Sequence, residues 1–395
     1  APIPRRASRL DSLCSRMNDS SLGVVNVHPG ARMQSRFAEE PFGAGALLMA
    51  LRLELPAMRY FKSDNTAAVS PEILAALATA NRGVALAYGA DHWSESLDAL
   101  FGKFFGTEVR VFTVSSGTAA NSLALATLCP PWGTVLCHAE SHIERDECGA
   151  PEFFTGGAKL SLVAGAGAKM AAGDLGARLD WFEPHVHGVQ PRAVSITQAT
   201  ERGAVYSAAE IRALADIAHA RGMAVHMDGA RFANAVVSQK VSPAELSWKA
   251  GVDVLSFGVI KNGGMNAEAV VYFDPTRVAD FEFRRKRAGQ LACKGRYAAL
   301  QLTTYLESGI WRRNAERANA LAARIAAAAP ELLSVPFETN QVFMQLGAQR
   351  IEALSKEFGF YPWGPAGSGE ARFVCSWDTP DEDVDALCAA LAKLR

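Results

Sequence analysis

The chain has 395 residues, long enough for two or three lobes with substantial cores, which excludes a peptide-sized or stapled fold. Apolar residues make up 49% and charged residues 21%, ordinary globular usage that gives disorder, collagen or coiled coil no support. Lys+Arg 40 against Asp+Glu 41 leaves a formal charge of -1, so no global basic field exists for nucleic acid or an anionic membrane, and any bound anion must be held locally.

Residues 1–57 mix Arg, Ser, Gly and Pro with scattered apolar residues and sustain neither a helical nor a strand period, which predicts a poorly structured N-terminal extension. The apolar stretch 43–53 lies too far along for a secretory leader and is broken by Arg52 and Glu54. No apolar run reaches the roughly eighteen residues needed to cross a bilayer. The seven cysteines are widely spaced and contain no CxxC pair, which argues against a disulfide framework and predicts a reducing cytoplasm.

From about residue 70 helix-like and strand-like segments alternate, the rhythm of an α/β domain with a mostly parallel sheet, here assigned to residues 58–305. Strands are predicted at 109–114, 134–138, 193–197, 223–227, 252–257 and 269–273, each followed by a polar or glycine-containing turn. Ser207 and Glu210 form a capping box that opens a helix, and Gly222 stops it. Residues 306–395 read as a smaller C-terminal α+β domain: a long helix over 311–329, a helix over 350–358, a strand over 371–377 and a last helix from Asp381.

Three segments carry chemistry. Ser115-Ser-Gly-Thr-Ala-Ala-Asn121 is a strand-to-helix turn that would aim backbone N–H groups at an anion, with the Thr118 hydroxyl beside them. Asp228 directly follows one apolar strand. Lys261, 33 residues later, follows another among small and apolar neighbours, where desolvation favours the neutral, nucleophilic amine. A carboxylate for a pyridinium nitrogen, a nucleophilic lysine and a phosphate turn together make a site for pyridoxal 5'-phosphate. His138 and His142 have the spacing of a metal pair but no clear third ligand, so no metal is expected. His185 and His187 read as exposed loop, and Arg284-Arg-Lys-Arg287 as a solvated helix face or subunit contact rather than a nucleic-acid site.

The segments 226–234, 256–263, 116–121, 142–154 and 372–378 resemble, in order, motifs of the low-specificity L-threonine aldolases, which are fold-type I pyridoxal phosphate enzymes; the resemblance runs from about Phe61 to the C-terminus. It implies that Lys261 carries the cofactor, Asp228 pairs with the pyridine nitrogen, Arg231 sits near the ring's 3-oxygen, and Gly117 and Thr118 bind the phosphate. It further implies Tyr88 reaching the phosphate from a neighbouring subunit of a homodimer or homotetramer, and His142 stacked on the ring. Ser63 and Arg372 would hold the carboxylate of a β-hydroxy-α-amino acid, Arg372 because a planar guanidinium matches a carboxylate.

The reaction so implied is retro-aldol cleavage to glycine and an aldehyde, with His142 as the candidate base. Thr200 falls where many of these aldolases carry a histidine that engages the β-hydroxyl, which predicts weak discrimination between the two β-configurations. A transaminase or β-eliminating lyase on the same fold stays open, as does a non-catalytic cofactor-binding regulator.

Overall fold

The computed structural model describes residues 58–278 and 280–394; the extension predicted for residues 1–57, including the stretch 43–53, lies outside them. Among the described residues β1 (Arg59–Tyr60) comes first, and seven strands then build the central sheet. These are β2 (Arg110–Val114), β3 (Gly133–His138), β4 (Lys159–Val163), β5 (Gln190–Thr197), β6 (Ala224–Gly229), β7 (Val254–Phe257) and β8 (Glu268–Tyr272). Their spatial order is β2-β8-β7-β6-β5-β3-β4. All neighbours pair in parallel except those of β8, which runs against both β2 and β7. The carboxyl ends of β2, β3, β5, β6 and β7 therefore lie at the same sheet edge as the first residue of β8, where open α/β sheets place ligands.

The two sheet faces are buried in separate apolar clusters, as alternation requires. Val194, Ile196, Met227, Leu255 and Val271 face one cluster. Phe112, Val135, Ala193, Val254, Val270 and Tyr272 face the other, under the helix Gly117–Leu128. The capping box at Ser207 forms as predicted and opens the helix Ala208–Ala220.

Toward the C-terminus, β9 (Gln341–Gln345), β10 (Phe358–Gly359), β11 (Tyr361–Trp363) and β12 (Glu370–Val374) follow the long helix Ile310–Ala328. β11, β12 and β9 form an antiparallel sheet with β12 in the middle, and β10 pairs in parallel with β1. This sheet packs on the helix Asp381–Ala392 through Val342, Met344, Phe373, Val384, Leu387 and Leu391. The long helix belongs to two cores, with Ile310, Trp311 and Ala315 in the first and Leu321, Ala322 and Ile325 in the last. The helix predicted over 350–358 is shorter, Ala348–Leu354, because Phe358 and Gly359 are taken into the strand pair with Arg59 and Tyr60. The strand β4 was not anticipated.

Candidate active site

A cavity of about 430 Å³ lies between the central sheet's carboxyl edge and the C-terminal sheet. Ser63, His142, Asp228, Arg231, Lys261 and Arg372, six of the nine predicted site residues, line it.

Lys261 sits in a single 3-10 turn, Ile260–Asn262, just past β7. The turn is fixed on both sides. Asn262 Nδ2 donates to the Tyr305 hydroxyl at 2.6 Å and to the Trp311 carbonyl at 2.8 Å. Gly263 closes the turn at φ 112, in the left-handed region, and a Cβ there would collide with Ser70 and Asn314. From below, Glu268 at the head of β8 accepts the Val259 N–H at 2.6 Å and, at 3.4 Å, that of Ile260.

Asp228 is the penultimate residue of β6. Its Oδ1 accepts the Ala230 N–H at 3.0 Å, and its Oδ2 accepts from Asn121 Nδ2 at 2.8 Å. The same amide nitrogen donates to Glu147 Oε1 at 2.8 Å, and that oxygen lies 2.8 Å from His142 Nδ1. One buried amide thus ties the carboxylate of the central strand to the carboxylate that orients His142. The Glu147 bond pushes the His142 pKa up against the effect of burial, while burial pushes Glu147 itself up.

Asn121 also places the phosphate turn. It lies one turn beyond Thr118 in a helix capped by Ser116, whose Oγ accepts the Ala119 N–H at 3.2 Å. Gly117 and Thr118 open that helix outside the cavity lining proper, and no atom lies within 4 Å of where a Gly117 Cβ would stand.

Arg231 lines the cavity but is not free. Its Nε and Nη2 donate to the two oxygens of buried Asp64 at 2.7 and 2.8 Å. Burial alone would raise the Asp64 pKa, but the Arg231 charge and hydrogen bonds outweigh it and hold the carboxyl below its ordinary value. Ser63 caps the short turn that carries Asp64, accepting the Asn65 N–H at 3.2 Å.

Arg372 is the opposite case. It lies on the middle strand β12, its guanidinium 4.3 Å from the Trp363 ring centre and 5.6 Å from that of Tyr361. Its one polar contact is a long 3.4 Å bond from Nη2 to the Lys62 carbonyl, and its enclosed Nε has no partner. Burial, with Arg231 nearby, lowers its pKa to about 10. A half-buried guanidinium without a counter-charge is a place for an incoming carboxylate.

Tyr88 stands apart from this cavity. It is exposed, with the Lys286 ammonium 4.5 Å from its ring centre, and lines a separate polar cavity with Arg110, Glu282 and Arg285. Thr200 contradicts its expected place. It is buried, its Oγ1 donating to the Gly167 carbonyl at 2.8 Å and accepting the Ala204 N–H at 3.1 Å, so it serves the loop and not the cavity. The next residue, Glu201, lines the cavity instead, and its Oε1 accepts the His142 backbone N–H at 2.6 Å. The expectation of weak discrimination between β-configurations rests on Thr200 not engaging the hydroxyl, which agrees with its place in the loop, but it leaves out Glu201.

Asn121, Glu147 and Glu201 were not singled out from the sequence, although Asn121 and Glu147 fall inside motifs quoted for other residues. His138 is used structurally, its Nε2 3.0 Å from the Gly165 carbonyl and its Nδ1 accepting the Glu140 N–H. His142, Glu147 and Asp228 bring ligand atoms within 4.8 Å of one another, but the hydrogen bonds through Asn121 already engage them and supply no reason for a cation. The basic run 284–287 is only partly a solvated face, since Arg285 Nη2 reaches Thr113 Oγ1 at 2.6 Å.

Pyridoxal phosphate fits these residues. A lysine and an amide-oriented carboxylate share one cavity with an unpaired guanidinium, and a helix N-terminus with room for an anion stands one turn from Asn121.

Comparison with known proteins gives the family and the fold. The beta-eliminating lyase family matches residues 60–349. A low specificity L-threonine aldolase of Pseudomonas aeruginosa is 45% identical over 332 residues, covering 83% of this chain and 95% of its own. One from Pseudomonas sp. is 42% identical over 334 residues, covering 83% and 96%. The solved threonine aldolase of Leishmania major superposes with a TM-score of 0.80 at 25% identity, over 85% of this chain and 99% of that one.

Proposed function

Because the chain belongs to the beta-eliminating lyase family, alongside the low-specificity L-threonine aldolases, we propose that its site cleaves L-3-hydroxy-2-amino acids to glycine and an aldehyde. The enzyme is a pyridoxal phosphate-dependent lyase of fold type I. The observation that carries the substrate reading is Arg372, an unpaired guanidinium sharing one cavity with Lys261 and Asp228. When bound through Lys261, the cofactor supplies a sink for the electron pair released from a bond to Cα.

The chain's own residues do the rest. Arg372, backed by the Trp363 face, takes the substrate carboxylate, with the Ser63 hydroxyl as its neighbour in the lining. Fixing the carboxylate at Arg372 and the amine at the position where Lys261 would hold the cofactor leaves the Cα–Cβ bond a restricted set of orientations, which is how such a site selects the bond to break. Asp228, held by Asn121 and the Ala230 N–H, would pair with the ring nitrogen of the cofactor and favour its protonated form. Arg231 is pinned by Asp64 and so offers a fixed positive charge at the same wall. Gly117 and Thr118 would hold the phosphate. His142, tied to Glu147, offers its ring as a stacking face.

Exposed Val84, Leu86, Tyr88 and Phe283 support assembly of identical subunits, with Tyr88 serving a neighbour's phosphate. No helix among the described residues is long and apolar enough to cross a membrane; with the unpaired cysteine pattern this supports a cytoplasmic enzyme. Incubation with L-threonine and with phenylserine tests the reading. Glycine and aldehyde in equal amounts support it, whereas a keto acid identifies a transaminase or β-eliminating lyase.

A further inference from the structure

The β-hydroxyl of such a substrate must lose a proton as the Cα–Cβ bond breaks, and the cavity is lined by His142, Glu201 and Asp146, the last of which carries its charge toward Arg372. The His142 ring is tied to Glu147 through Nδ1 and offers its face for stacking, which leaves only Nε2 to accept a proton. Glu201 is placed differently. Its loop, between β5 and the helix Ala208–Ala220, is fixed at Thr200 and Ala204, and one carboxylate oxygen is anchored on the His142 N–H. The other, Oε2, has no hydrogen-bond partner and no open surface of its own, a costly state for a carboxylate; a small turn of the carboxyl into the cavity that Glu201 lines would let a hydroxyl donor relieve it.

Resting on the retro-aldol reading, we infer that Glu201 is the catalytic base that receives the substrate's β-hydroxyl proton. The O–H bonding pair becomes the second C–O bond of the aldehyde and the proton passes to the Glu201 carboxylate. The Cα–Cβ pair stays with the glycine fragment, and a proton returned to Cα completes the balance.

The electrostatics suit the task. Burial and the Asp228 charge push the Glu201 pKa up to about 7, against the pull of its own and the His142 backbone N–H groups. Cys137, Tyr206, His142 and Asp228 are the titratable groups in electrical contact with it, and Lys261, Arg231 and Arg372 line the same cavity. A base of that strength accepts a proton and releases it again near neutrality.

The test uses the holoenzyme with Glu201→Gln and Glu201→Asp. Glu201→Gln should lower kcat/KM for L-threonine about 100-fold or more, the usual worth of a general base. It should leave the cofactor's absorbance unchanged and keep solvent exchange of the glycine α-proton, a half-reaction with no hydroxyl. The rise of kcat/KM with pH through about 7, where Glu201 ionises, should vanish in Glu201→Gln, and Glu201→Asp, which still carries an acceptor, should recover part of the rate. In the cofactor-free protein, infrared titration should show a carboxyl ionising near neutrality that Glu201→Gln lacks.

Cleavage within about threefold of wild type in Glu201→Gln overturns the assignment. So does an equal loss of exchange and cleavage, a Glu201→Asp no better than Glu201→Gln, or an infrared titration identical in Glu201→Gln and wild type. If the wild type itself releases no glycine and aldehyde while exchanging glycine's α-proton, the retro-aldol reading fails instead.

Discussion

Lys261 owes its place to its neighbours, Asn262 and Gly263 on one side and Glu268 below, so the amine is presented at a fixed point of the cavity. Borohydride reduction of the holoenzyme should leave the cofactor on the peptide containing Lys261; label on another lysine would remove it from this role. Arg372 has no ion-pair partner, and if it takes the substrate carboxylate as proposed, a charge-assisted bond worth about 1.5–3 kcal/mol is lost in Arg372→Ala, which should raise KM roughly tenfold to hundredfold with the cofactor spectrum intact. An unchanged KM would take Arg372 out of substrate binding. Lys261 and Asp228 were legible because each carries its chemistry at the end of an apolar strand, a local signal. Asn121 and Glu201 were not, because each is defined by partners 26 to 107 residues away, nor was Glu147, whose link to Asn121 spans 26 residues although His142 is close in sequence. In a loop with no period, an offset of one residue was enough to put Thr200 where Glu201 stands.

The strand β8 is the one member of the central sheet that runs backward, and this brings its first residue to the ligand edge. Glu268 is there, paired in register with Val114 at the mouth of the phosphate turn and bonded to the lysine turn. Burial pushes its pKa up from 4.5 to about 7. A folded-state value above the unfolded one means the native state binds the extra proton, so this stabilisation is complete below about pH 4.5 and is lost as pH rises through about 7. Glu268→Gln keeps an acceptor for Val259 but cannot ionise, and urea unfolding of the cofactor-free protein should show a flatter decline over that interval. A decline identical to wild type would mean that Glu268 ionises as it does in the unfolded chain. The parallel strands were readable within a few residues as short apolar runs ending in polar turns. β4, Lys-Leu-Ser-Leu-Val at the sheet edge, lacks such a run, and β10 exists only because β1 pairs with it from 299 residues earlier in the chain.

At the scale of the molecule the site is split between two sheets, with Lys261 and Asp228 on one and Arg372 on the other, and the long helix Ile310–Ala328 anchors in both cores. Tyr88 lies outside the cavity that holds Lys261, and its proposed role is at the phosphate of a neighbouring subunit. Tyr88→Ala should therefore weaken cofactor retention on dialysis while leaving the monomer's unfolding unchanged; full retention would leave Tyr88 without a role at the phosphate.

The loop carrying Glu201 is bound to the C-terminal sheet more than to the sheet it comes from. Arg202 forms a two-pronged pair with Glu370 at 2.7 and 2.8 Å. Thr339 Oγ1 donates to the Gly203 carbonyl, Gln341 Nε2 to that of Thr200, and Glu338 accepts the Val205 N–H. Deuterium uptake by the Val205 amide should therefore follow the opening of the C-terminal sheet that carries Arg372 on β12, and not the slower opening of β5 and β6. The proton acceptor and the carboxylate clamp would then open and close as one cooperative unit, so that a substrate seated at one end also sets the other.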